Sequence, residues 1–147
     1  MFVHLRNIPT RAAAGGYVLH TGLEKWNGNE EQAKGLHAFA SGAFPFLSKV
    51  QPGTFLKALS VAEISTGVLL LTPVVPNKIA GAVLTAFSSS LLTVYMRTPA
   101  LHEEGSVWPT QAGIALSKDV WMLGIGLGLI ADDATDALGK HRNGATA

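Results

Sequence analysis

The chain has 147 residues, enough for one domain, with 11 Lys and Arg against 10 Asp and Glu. A net charge of +1 argues against nucleic acid as a partner, and the absence of cysteine excludes disulfides, thiolate metal sites and thiol relays within the chain. Charged residues are 14% of the total, well under the ~25% of soluble domains, which points away from an ordinary aqueous domain.

The first predicted span covers about residues 8–26. Pro9 suits a first helical turn. Ala12, Gly16, His20 and Glu24 fall four apart and so share one face, where small residues allow a neighbouring helix to approach. Arg11 and Lys25 stand near opposite ends and are expected to reach toward opposite interfaces. No long apolar stretch followed by a cleavage site precedes this span, so a removable signal peptide is not expected.

Residues 27–53 read as a loop with internal structure. The segment 29–40 has an acidic first turn, then Leu36, Phe39 and Ala40 on one side, as in a short amphipathic helix lying in the membrane interface. Phe44, Phe46 and Leu47 add apolar anchors. The second span is expected over 55–75, with Glu63 near mid-depth and Pro73 and Pro76 at its end. A short turn then gives an antiparallel hairpin with the third span, 78–97.

That third span contains the clearest signal. From Ile79 to Met96 the chain runs without a charged side chain. With Lys78 and Arg97 it reaches roughly 30 Å at ~1.5 Å per residue, the thickness of a bilayer core. Gly81, Thr85 and Ser89 form a small, weakly polar stripe. A loop with Pro99 follows. The apolar run Val120–Ala131 is too short to span alone, so the fourth span is expected to begin near Pro109 or Thr110, over 110–131, with Lys118 and Asp119 near its middle. Gly124 and Gly128 form a GxxxG packing face. The last residues, 133–147, read as a polar, disordered tail.

The expected fold is therefore all-α: an integral membrane four-helix bundle with one interfacial loop helix. Both termini lie on one side, taken as cytoplasmic although the basic residues are almost evenly divided. Trp26 and Trp108 at helix ends fit an aromatic belt.

Glu63 and Asp119 are the chemically informative residues. A carboxylate at membrane depth costs on the order of 3 kcal/mol and should face the bundle interior. Lys25, His20, Lys118 and Arg97 are candidate companions in a ligand or proton site, and Arg11 is a further candidate partner for the acids. One reading is a site for a polar or quinone-like ligand, or a proton relay, since acids in such surroundings can exchange protons near neutral pH. The other is bracing, with the same charges forming interhelical ion pairs. No catalytic residue or metal-ligand spacing stands out, and the Gly-rich segment of the last span lacks the strand a dinucleotide site requires.

Three segments resemble the DoxX-like family of small four-helix bacterial membrane proteins. They are Arg11, Gly15, Gly16, Gly22 and Lys25 in the first span, Glu63 followed by Gly67 in the second, and Asp119 in SKDVWMLGIGLGL. The similarity covers about residues 5–132 through short motifs. It implies a multi-pass protein of the bacterial cell membrane that serves as an accessory subunit of a quinone-linked redox system. The alternative is a non-catalytic scaffold or small-solute permeability protein. The implied partners are the lipid bilayer and either other redox subunits or a second copy of the chain. A quinone is the only cofactor class suggested. A water-soluble bundle would instead require the 79–96 run to be wholly enclosed by the other helices.

Overall fold

The computed structural model describes residues 5–144, with side chains described through residue 135. Among the described residues the chain is helical and contains no strand, only an isolated bridge between His102 and Pro109. Six α-helices follow in order: α1 Ile8–Trp26, α2 Glu30–Ala43, α3 Pro52–Leu71, α4 Asn77–Arg97, α5 Ile114–Ser117 and α6 Asp119–Gly144. Short 3₁₀ turns at Leu5–Asn7, Pro45–Lys49 and Pro99–Leu101 punctuate them.

Local chemistry explains the boundaries. Asn29 caps α2 by accepting the Gln32 backbone N–H at 2.9 Å, and Glu30 and Glu31 complement the positive helix N-terminus. Pro52 opens α3 directly after an extended Gln51. The helix stops at Leu71, earlier than residue 75, because Pro73 disfavours helical backbone at Thr72, which is extended. An acid from another helix caps α4: Asp133 accepts the Lys78 backbone N–H at 3.0 Å.

The last span departs most from expectation. It begins at Ile114, not near residue 110, because residues 110–113 form a turn in which Gly113 lies against the Leu101 backbone. The helix then breaks at Lys118, so Asp119 occupies the first turn of α6 and not the middle of a continuous helix. At the other end α6 runs on to Gly144, over most of the stretch read as a polar tail. Residues 145–147 of that stretch lie outside the described residues.

The long helices associate as two close pairs, α1 with α3 and α4 with α6. In the first pair Gly15 and Gly22 lie against α3, and Gly67 lies against the Leu19 backbone of α1. In the second, Gly81 lies against the Gly126 carbonyl, and Gly126 lies against Thr85. Both contacts shift the expected packing faces. The buried row of α1 is Arg11, Gly15, Val18 and Gly22, while Ala12, Gly16, His20 and Glu24 are exposed. On α6 the packing glycine is Gly126, whereas Gly124 and Gly128 have open space beside them.

This difference makes a direct test. A Cβ at position 126 would collide with the Thr85 hydroxyl oxygen and fall 2.9 Å from the Gly81 carbonyl oxygen. Gly126→Ala should therefore destabilise the protein by about 1–3 kcal/mol through overpacking. Gly124→Ala should be neutral or stabilise by up to ~1 kcal/mol through helix propensity. Thermal denaturation of both variants in detergent checks the order, and equal effects would contradict the assigned face.

The pairs meet at the end carrying the α3–α4 turn, where Ala14, Leu70, Ala80, Leu84 and Leu129 form a buried cluster. Arg11, only 3% exposed, is buried at that end, near the α3 C-terminus, not at an interface as expected. Three helices are long and apolar enough to cross a membrane: Pro52–Leu71, Asn77–Arg97 and the α5–α6 stretch Ile114–Thr135. α1, which carries Arg11, His20, Glu24 and Lys25, is not among them. Outward apolar surface is extensive, for Val61, Val68, Ile79, Val120 and Leu127 each leave about half of their area open. Only 33% of the α4 window is buried, far from the enclosure that a water-soluble bundle would need.

Candidate functional site

Away from the shared apolar cluster, the two helix pairs leave a cavity of about 590 Å³ between them. Helical periodicity supplies its walls. Tyr17, Thr21 and Lys25 recur at four-residue spacing on α1, as do Phe55, Leu59 and Glu63 on α3. Phe87, Leu91 and Val94 come from α4, and Asp119 and Met122 from the start of α6. α2 and the following turn add Leu36, Phe39, Phe44, Phe46 and Leu47, and α5 adds Ala115 and Leu116.

The covering segment is fixed by specific polar contacts. His37 Nε2 lies 2.9 Å from the Leu47 carbonyl oxygen and 3.2 Å from the Ser41 hydroxyl, and its ring meets Phe55 edge-on at 5.5 Å. Arg97 donates to the Ala43 carbonyl at 2.8 Å, at the C-terminal end of α2, where a cation is favoured. Its guanidinium also lies over the Phe44 ring at 5.9 Å. Arg97 therefore holds the cover in place and does not line the cavity.

One ion pair stands on the wall. Lys25 Nζ donates to Glu63 Oε2 at 3.0 Å, with the Glu63 side chain 5% exposed and that of Lys25 18% exposed. The close approach at Gly22 makes this reach possible, since Gly22 lies against the Glu63 Cβ. One turn before Glu63, Ser60 donates to the Gly22 carbonyl at 2.7 Å and ties α1 to α3 at the same level. Asp119 is half-buried in the same cavity and interacts electrostatically with Glu63 and Lys25. Among the described residues Asp119 makes no side-chain hydrogen bond or ion pair.

Of the six residues singled out in the sequence, three come together here: Lys25, Glu63 and Asp119. His20 points outward and pairs with Glu24 at 3.6 Å, both being well exposed. Lys118 is exposed at the helix break and does not line the cavity. Arg11, proposed as a partner for the acids, instead donates to backbone carbonyls at the end of α3. Sequence reasoning missed the aromatic lining. Phe39 and Phe44 read there as interfacial anchors yet are half-buried along the cavity, whereas Phe46, which borders it, is 66% exposed; nothing in their spacing tells an outward-facing ring from a cavity-facing one.

A volume of this size, with mostly apolar walls and a few convergent polar groups, is the usual form of a small-molecule site. Its polar groups offer a cation held by one carboxylate and a second carboxylate without a direct partner. Among the described residues there is no cluster of side chains able to hold a metal ion. No family model, curated protein or solved structure matches the chain.

Proposed function

We propose that this chain is an integral membrane protein whose two helix pairs enclose a binding site for a lipophilic small molecule of the quinone class. It serves as an accessory subunit of a membrane redox system in the bacterial cell membrane, with cytoplasmic termini and with α1, too polar to qualify as a span by itself, crossing as a fourth span packed against α3. The observation that carries the reading is the cavity between the pairs, apolar and aromatic over most of its wall, with Lys25, Glu63 and Asp119 at one place on it. An apolar ring system fits those walls. Lys25 has donors left over after bonding Glu63, so it can also hydrogen-bond a ligand carbonyl. The DoxX-like pattern in α1, α3 and α6 supports the same assignment, since it implies quinone-linked partners.

The Lys25–Glu63 contact also favours a second reading, in which the protein is a scaffold and the pair only braces α1 against α3. Binding separates the two. Decylubiquinone should bind the detergent-purified protein saturably. Glu63→Gln combined with Asp119→Asn should weaken that binding by about tenfold, roughly 1.4 kcal/mol, with the helical content unchanged. Leu59→Trp, which fills the cavity, should abolish it. Undiminished binding in both variants would remove the quinone site and leave the scaffold.

A further inference from the structure

The charges on the cavity wall do not balance. Glu63 is matched by Lys25 at 3.0 Å. Asp119 has no such match, and the charges it senses are those of the same two residues. The other basic residues considered for the acids are committed elsewhere: Arg97 to the α2 terminus, Arg11 to the α3 terminus and His20 to Glu24, with Lys118 exposed. With both acids ionised, the wall carries one uncompensated negative charge in surroundings from which charge is costly to bury. The same cavity is lined by the hydrocarbon rings of Phe39, Phe44, Phe55 and Phe87, and the face of such a ring attracts a cation and repels an anion.

We infer that the cavity binds a lipophilic organic monocation, with its charge against Asp119 and its apolar body against the phenylalanine rings. The inference rests on the cavity being a ligand site and extends the ligand class from neutral lipophiles to cations. Such a ligand supplies the charge that the wall lacks. An organic anion would meet Asp119 without a free cation to offset it. A membrane-dissolved ligand can reach the site as well, since two of the lining residues, Tyr17 and Phe46, are 60% and 66% exposed.

The probe is radiolabelled tetraphenylphosphonium, dialysed to equilibrium against the full-length protein in mild detergent, with decylubiquinone measured in parallel. Saturable binding is expected, weakened by about tenfold in Asp119→Asn and retained in Asp119→Glu. Phe87→Leu, which keeps every charge, should weaken the cation several-fold and serves as the deciding variant if Asp119→Asn fails to fold. Decylubiquinone binding without tetraphenylphosphonium binding would overturn this inference and leave the quinone site standing. Equal cation binding by wild type and Asp119→Asn, or by wild type and Phe87→Leu, would also overturn it, because Asp119 then simply holds a proton. Failure of both probes would overturn the site itself.

Discussion

Replacing Arg11 with leucine should cost about 3–5 kcal/mol, since hydrogen bonds to a charged group contribute about 1.5–3 kcal/mol each and several are lost together, and should lower the melting temperature in detergent by about 10 °C or more. The guanidinium is buried and donates five hydrogen bonds. Nε bonds the Leu70 carbonyl at 2.8 Å, Nη1 the Val75 carbonyl and the Asn77 side-chain oxygen, and Nη2 the Leu69 and Thr72 carbonyls. The last carbonyls of a helix have no partner within it, and a cation there also complements the helix dipole. Arg11 thus closes the C-terminus of α3, orders the turn into α4 and pins α1 to both. Removing it strands several buried acceptors together. It also leaves the fully buried Asn77 without its side-chain contact, and the Asn77 Nδ2 is already unpartnered. Lysine should not rescue the loss, because an ammonium offers three donors from one point and cannot span this set. A melting temperature within about 3 °C of wild type for Arg11→Leu would mean that these bonds contribute little.

Lys25→Ala is the second large effect, also expected at about 3–5 kcal/mol, because it leaves Glu63 in an apolar wall without its counter-charge. The reverse change should cost less. Lys25 sits at the last turn of α1, and without Glu63 its flexible stem can carry the ammonium toward water. Glu63→Leu should therefore be milder than Lys25→Ala, and Lys25→Met combined with Glu63→Leu should recover most of the stability. Thermal unfolding of the two single variants and the combined one reads out the asymmetry. If Lys25→Ala costs less than Glu63→Leu, the buried member of the pair has been misassigned.

The sequence carries much of this arrangement, because charge is costly at membrane depth. That argument selects Glu63 and Asp119, and it requires them to face inward whatever the helix order. The acidic first turn likewise locates the start of α2, whereas α3 opens at Pro52, three residues before the expected start at residue 55. Register between helices is another matter. α1 has two rows of small residues, one through Ala12 and Gly16 and one through Gly15 and Gly22, and periodicity cannot choose between them. The choice is made by the partner, since only the second row sets Gly22 against Glu63 and Gly15 against Gly67 and Leu70. Gly126 packs in preference to the GxxxG pair for the same reason: Gly81 and Thr85 are opposite it. Arg11 was misplaced because its acceptors are backbone carbonyls, which exist at every position and leave no mark in the sequence. The break at Lys118 was equally hidden, for it depends on how the preceding loop folds against Leu101.

The central claim is that the space between the helix pairs is a ligand site within a membrane-embedded protein. It is tested most directly by mass spectrometry of the organic extract from protein purified in mild detergent, with wild type and Leu59→Trp handled identically. The account predicts a lipophilic small molecule near one equivalent per chain in the wild type and depleted from the filled-cavity variant. The same extract from both proteins, or none from either, would contradict it.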